Sequence, residues 1–354
     1  MATVDTALPL AYGDCRAEDE TTAGDKPLND RKGREFLYLS QAEVQELGLP
    51  MAEIVTALEC MLREKGEGRI EMPPKPGVHT MPDSFLHAMP AYIPAQNAVG
   101  MKWVGGYPEN HLRKQPYITG LLILNDPETG VPLSVMDCTW ITAKRTGAAT
   151  AIAAKYLARP ESETVGILGC GVQGRSNLEA LHGMFRLKSV RAYDVDRNTS
   201  EIYAQEMSKQ LGLDVVVVDH TELAVRGSDI VVTAGPILRK PHATIQPGWL
   251  AEGAFASLVD FDSYWDALAL HEADKFCTDD VPQLEHYREI GYFQDIPPIH
   301  ADLSELVTGR KPGRQTAHER TITCNLGLAL EDIATALLVY QRALKKGAGT
   351  WLPL

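Results

Sequence analysis

The chain has 354 residues, a net charge of −13, and 44% apolar against 23% charged residues. Those values describe a globular protein with room for two domains and a substantial core. An acidic surface disfavours nucleic acid and anionic membranes as partners, so an acidic ligand would need a local cluster of Lys and Arg.

Six cysteines stand at 15, 60, 138, 170, 277 and 324 without a C-x-x-C pair. They read as reduced thiols of a cytoplasmic protein, with neither a zinc site nor a disulfide framework. The opening Met-Ala-Thr-Val-Asp-Thr has no signal-peptide character, and no apolar run reaches membrane-spanning length.

Residues 1–33 are polar and aperiodic and read as a flexible extension. A strand is predicted over 35–40. Ser40 then takes an N-cap position, with Glu43 at the capping-box spacing. A helix is predicted over 51–65, with Ile54, Leu58 and Leu62 on one face. Prolines at 73, 74 and 76 exclude helix and sheet interior, leaving a rigid loop that carries Lys75. Segments 85–92, 98–104, 120–125 and 132–137 predict strands, the last two joined by the turn 125–130 into a hairpin. This half is expected to be an α+β domain on a mainly antiparallel sheet.

An alanine-rich helix is predicted over 139–157. After it, Thr164-Val-Gly-Ile-Leu-Gly-Cys-Gly-Val-Gln-Gly174 runs from an apolar strand into the spacing G-x-G-x-x-G. A helical run follows, with Leu178, Leu181, Met184 and Phe185 at helical spacing. Gly169 permits the tight turn, Gly171 lets the backbone approach a pyrophosphate, and Gly174 lets helix and strand pack closely. The phosphates would lie on the free N–H groups of the helix start. A second strand ends at Asp194, twenty residues after Gly174, where a carboxylate can accept from ribose hydroxyls. Further strands are predicted at 214–218, 229–233, 254–258 and 275–278. That alternation with helical stretches is the mark of a parallel sheet. The fold class expected is α/β: a Rossmann-type parallel domain over 146–318, plus the antiparallel α+β domain over 34–145 and 319–354. The amphipathic helix 329–346 is expected to pack back on the first half.

Several motifs together resemble the ornithine cyclodeaminase/mu-crystallin family. They are Lys102-Trp-Val-Gly, Leu124-Asn-Asp-Pro-Glu-Thr-Gly-Val-Pro-Leu, Ala143-Lys-Arg-Thr-Gly-Ala-Ala, the glycine turn, and Gly327-Leu-Ala-Leu-Glu-Asp332. The resemblance runs from about residue 36 to the C-terminus. It implies a homodimer, formed through the non-Rossmann domain, and a small carboxylate-bearing amino or imino acid as substrate. It implies cofactor contacts at Thr146, Val172, Gln173, Thr233 and Asn325.

Arg145 is a natural bidentate partner for a carboxylate, although its position alone equally suits a solvated helix charge. The resemblance places it, with Lys102, on the substrate carboxylate. Lys75 stands where many relatives have Arg in a Pro-x-Arg pattern, which keeps the charge and loses the planar fork. Asp260 ends a predicted strand, the edge where ligands bind in open parallel sheets. It suits a helix cap as well as a proton-transfer group. Relatives carry Gly-Asp there, where this chain has Val259-Asp260. His87 stands where ornithine cyclodeaminases carry Glu, which disfavours a basic substrate side chain; a structural histidine fits equally. Val195 offers no cation to a 2′-phosphate, so NAD is the expected cofactor, with Arg197 two residues on as the group that could alter this. The activity implied is NAD-dependent chemistry at the Cα–N bond. Cyclodeamination and ligand binding without chemistry are the alternatives.

Overall fold

A computed structural model describes residues 31–354. The extension expected over 1–33 lies outside the described residues except for its last three. Of these, Arg31 pairs with Glu35 at 3.2 Å and lies 4.6 Å over the Trp351 ring, so contact with the folded body starts before the expected strand.

The first half builds β1 (Glu35–Leu39), β2 (Gly77–Val78), β3 (Phe85–Ile93), β4 (Ala98–Gly106), β5 (Ile118–Asn125) and β6 (Pro132–Asp137). The second half supplies β7 (Thr164–Leu168), β8 (Ser189–Tyr193), β9 (Asp214–Val217), β10 (Ile230–Thr233), β11 (Phe255–Leu258), β12 (Lys275–Thr278), β13 (Ile299–Asp302) and β14 (Thr321–Cys324). The closing strand β15 (Thr350–Pro353) returns to the first sheet.

That sheet has seven strands in the order β15-β1-β6-β5-β4-β3-β2, antiparallel except for the pair β1/β6. Along β4 the buried positions include Ala98, Gly100, Lys102 and Val104, the alternation of a sheet covered on one face. The helix Ala329–Lys346 covers β3, β4 and β5, and the helix Gln41–Glu46 lies on β6, while the helix Met51–Gly66 packs on Ala329–Lys346 rather than on the sheet. Ser40 and Glu43 form the expected capping box. The proline loop is not wholly irregular: Gly77 and Val78 pair with His87 and Leu86, and Glu71 bridges Tyr92.

The second sheet has eight parallel strands, ordered β13-β12-β14-β11-β10-β7-β8-β9. Strands β10, β11, β12 and β14 are buried at every residue, as expected where helices cover both faces. The boundary expected at 318/319 moves, because β14 lies between β11 and β12 inside this sheet. The helix Thr139–Leu157 joins the two sheets. Strand order reverses between β7 and β10, the switch point where such sheets open a crevice.

Cys138, Cys170, Cys277 and Cys324 are free and buried. Cys60 departs from the expected set of reduced thiols, since it is disulfide-bonded. Among the described residues no helix is long and apolar enough to cross a membrane.

Candidate active site

A cavity of about 690 Å³ opens where the two sheets meet. Lys75, His87, Lys102, Arg145, Thr146, Gln173 and Asn325 all line it, so residues spread over 250 positions converge there. Lys75 comes from the proline loop, His87 and Lys102 from paired strands, and Arg145 and Thr146 from the joining helix. Gln173 belongs to the glycine-turn helix Val172–Met184, and Asn325 follows β14.

Two of the three cations are neutralised within the fold. Lys102 is fully buried, with Nζ 2.6 Å from Asp332 and 3.3 Å from the Thr142 hydroxyl. Arg145 donates to Glu331 at 2.7 Å, and its Nε lies 3.2 Å from Asp332. Burial lowers the Lys102 pKa, with Asp332 opposing. For Arg145 burial works against the charge, yet Asp332 and Glu331 outweigh it and hold the guanidinium above its ordinary value. Glu331 and Asp332 occupy the first turn of the helix Ala329–Lys346, where the helix dipole also favours anions.

Lys75 differs. Its ammonium donates to the Leu326 carbonyl at 2.8 Å and lies 5.6 Å over the Tyr287 ring. Desolvation, opposed by Asp279, pushes it down to about 7. It forms no ion pair among the described residues, which leaves it the most available partner for an incoming carboxylate. His87 stacks on Phe85 with centroids 4.3 Å apart. Burial, then the nearby Lys75 charge, drives its pKa down to about 3, so it is a neutral ring at physiological pH.

Asp260 is 1% exposed and does not line the cavity, although Val259 and Phe261 do. Its carboxylate accepts from the Thr233 hydroxyl at 2.6 Å and from Gly235 N at 2.9 Å. Burial raises its pKa to about 7, and those bonds oppose the rise. The acid therefore sits beneath the Ala234–Gly235 turn rather than in the cavity wall. Thr233, expected to touch cofactor, is 1% exposed, and its hydroxyl is committed to Asp260.

The glycine turn is built for close approaches. A Cβ at Gly169 would meet Ala234 O at 2.5 Å, and one at Gly174 would meet Gly169 O at 2.2 Å. At Gly171 the same atom would meet nothing within 4 Å. Gly171 is the N-cap of the helix and supplies no side-chain cap, and Val172 beside it is 61% exposed. Open space over uncapped N–H groups fits a pyrophosphate. Asp194 accepts from Cys170 N at 2.8 Å and from Asp196 N at 3.0 Å, which fixes it at the rim of that space. Arg197 is drawn off to Glu201 and Asp219, so its charge is not free for a phosphate. Thr146 donates to the Thr142 carbonyl at 2.8 Å. Asn325 turns its Oδ1 to the Thr323 hydroxyl, and its buried Nδ2 has no partner among the described residues. That unused donor in the wall fits the carboxamide end of a nicotinamide.

Three groups escaped the sequence reading. Glu331 and Asp332 lay in view within a motif, but nothing local shows that they face Arg145 and Lys102. Asp279, which accepts from Gly327 N at 2.6 Å, directly follows β12. The strand-end argument that selected Asp260 would have found it.

Known proteins resemble this chain over most of its length. The alanine dehydrogenase of Archaeoglobus fulgidus is 37% identical over 325 residues, covering 89% of this chain and 98% of the relative. The structure of Thermococcus litoralis Δ1-pyrroline-2-carboxylate reductase with NADH and L-proline is 33% identical, has a TM-score of 0.81, and covers 89% of this chain and 99% of that one. An archaeal alanine dehydrogenase dimer with bound NAD is 36% identical, has a TM-score of 0.80, and covers 90% of this chain and 99% of that one. Residues 34–347 match the ornithine cyclodeaminase/mu-crystallin family, and the chain belongs to that family.

Proposed function

We propose that the chain is an NAD-dependent oxidoreductase acting at the Cα–N bond of a small amino or imino acid. One observation carries the reading: Lys75, Lys102 and Arg145 share a cavity with Asn325 and Gln173, at the mouth of a glycine turn fitted for a dinucleotide. The glycine turn, Gln173 and Asn325 would hold the dinucleotide, whose nicotinamide would supply hydride chemistry at the substrate Cα. The chain's own residues do the rest. Lys75 and Arg145 hold the carboxylate, with the buried Lys102 in the same cavity wall. Glu331 and Asp332 keep Arg145 charged, and their ion pairs hold both inner cations in place while the pocket excludes water. Asp260 serves the amine or water proton from beneath the Ala234–Gly235 turn, and direct contact requires that turn to shift. Catalytic hydrogen bonds commonly tighten only once ligands are bound.

The cyclodeaminase alternative needs a partner for a second ammonium group. Glu331, a carboxylate in the wall, is committed to Arg145, and His87 is neutral. The decisive measurement is NADH absorbance with a panel of amino acids, run beside ammonia release. Net NADH formation supports the oxidoreductase. Ammonia without net NADH supports cyclodeamination, and ligand binding with neither supports a binding protein.

We also propose a homodimer through the outer face of the seven-stranded sheet. Trp103 and Leu121 are register partners on β4 and β5, 42% and 45% exposed on that face. Light scattering on the unaltered protein and on Trp103→Lys tests this, with a monomeric variant expected.

A further inference from the structure

Beyond the cations the cavity wall turns aromatic. Phe261 holds φ at +62°, a left-handed backbone that is an outlier for a bulky residue and persists only where its surroundings impose it. The strained turn points the ring into the cavity between two acids that do not line it. Asp260 is turned to Thr233 and Gly235, and Asp262 is 5% exposed. The Phe261 ring meets Tyr287 at 5.1 Å and Tyr292 at 5.6 Å, both edge to face, and both tyrosines line the cavity. Phe293, itself at φ +52°, backs the group 5.0 Å from Phe261.

The location of this wall follows from Lys75, whose ammonium lies 5.6 Å over the Tyr287 ring. A substrate with its carboxylate on Lys75 has Tyr287 alongside and Phe261 next. The charged or titratable groups on this side are the exposed Asp83 and Arg239, both near Tyr292, and the half-buried His286; Arg239 donates to the Ile290 carbonyl at 2.6 Å. A charged side chain directed along the rings would lose water and reach only the solvent-exposed Asp83 and Arg239 beside Tyr292, whose attraction is screened, whereas a planar apolar one would bury its surface against the rings.

We infer that Phe261, Tyr287 and Tyr292 form the side-chain subsite and select amino or imino acids with a bulky apolar side chain over those with a small or charged one. The inference rests on the oxidoreductase reading for its substrate class, and its test separates the two. NAD reduction is measured with alanine, leucine, phenylalanine, ornithine and glutamate, on the unaltered protein and on Phe261→Gly. Glycine accepts a positive φ, so the variant keeps the turn, and NADH titration checks that its dinucleotide site is intact. Leucine or phenylalanine is expected to exceed alanine in kcat/KM by about tenfold or more, with ornithine and glutamate below alanine. Phe261→Gly is expected to remove most of that preference. Alanine, ornithine or glutamate as best substrate would overturn the subsite and leave the oxidoreductase standing, as would an unchanged ranking in the variant. If no amino acid reduces NAD and no imino acid oxidises NADH, the oxidoreductase reading falls, and the subsite is judged by thermal shift in the presence of NADH. A larger shift with phenylpyruvate than with pyruvate supports it; equal shifts overturn it.

Discussion

The two ends of the cavity hold charge in different ways. At the substrate end, Lys102 and Arg145 are buried side chains balanced by Glu331 and Asp332. At the dinucleotide end, the helix start at Gly171 offers backbone N–H groups beneath open space, with Asp194 pinned at its rim by Cys170 N. The first end depends on side-chain partners that must all be present. The second depends on backbone shape, which substitution elsewhere leaves largely intact. Damage should therefore spread from the first and stay local at the second.

Arg145→Ala is the severest test. It removes the carboxylate's partner and strands Glu331 in a dry site, leaving Asp332 to Lys102 alone. Substrate binding should weaken by about 2–5 kcal/mol, and stability should fall by about 3–5 kcal/mol. Steady-state kinetics and thermal melts on the same preparation check both. A stability loss with intact kinetics would make the residue purely structural.

Asp260→Asn should lower turnover by a factor on the order of 10² while NADH affinity holds. Its stability signature has a definite sign. Burial lifts this carboxyl from 3.8 to about 7, so the folded chain binds the extra proton between those values. The wild-type stability contribution is present below the lower value and is lost as pH rises through about 7. Asn carries no such proton, so the melting temperature of the variant relative to wild type should rise across that interval and then level off. A flat difference would mean that Asp260 is ionised in the fold.

At the dinucleotide end the effects should be confined to cofactor choice. NAD should exceed NADP by about tenfold or more in kcat/KM, because Asp194 would face the 2′-phosphate while Arg197 is occupied by Glu201 and Asp219. Asp194→Asn with Val195→Arg should narrow or reverse that ratio without moving the amino-acid KM. Equal use of both cofactors by the unaltered protein would remove Asp194 from the ribose. The smallest effect belongs to His87. Held neutral by burial and by Lys75, it should contribute no step to the pH profile between about 5 and 8. His87→Asn should therefore change rate constants without moving the midpoints of the kcat/KM profile.

The sequence made the elements of this fold readable wherever a local pattern existed. Helix 139–157 and strands β3 to β6 follow from periodicity, and the glycine turn from its spacing. Strands β13 and β14 are four residues each, and β14 follows a long irregular stretch, so no alternation announces them. The boundary misplaced at 318/319 is the consequence. At the site, single cations were legible from residue type and motif. Their compensation was not, because pairing between Arg145 and Glu331 is a property of packing across 186 residues. Asp260 was placed at the right strand end, but whether a carboxylate faces the cavity or the turn beneath depends on one rotamer. Phe261 was invisible, since no sequence pattern reveals a positive φ at a bulky residue.

The long reach between Arg145 and its acids also bears on how the protein is made. A chain emerging from the ribosome at roughly 5–20 residues per second completes its N-terminal elements first. Lys102 and Arg145 are synthesised long before the helix Ala329–Lys346 that neutralises them. Until that helix docks, burying both cations is unfavourable, so the growing polypeptide has reason to keep this region hydrated and open. Closure of the pocket is thus tied to the helix Ala329–Lys346, and a translation product that stops short of it would carry the glycine turn without a finished pocket.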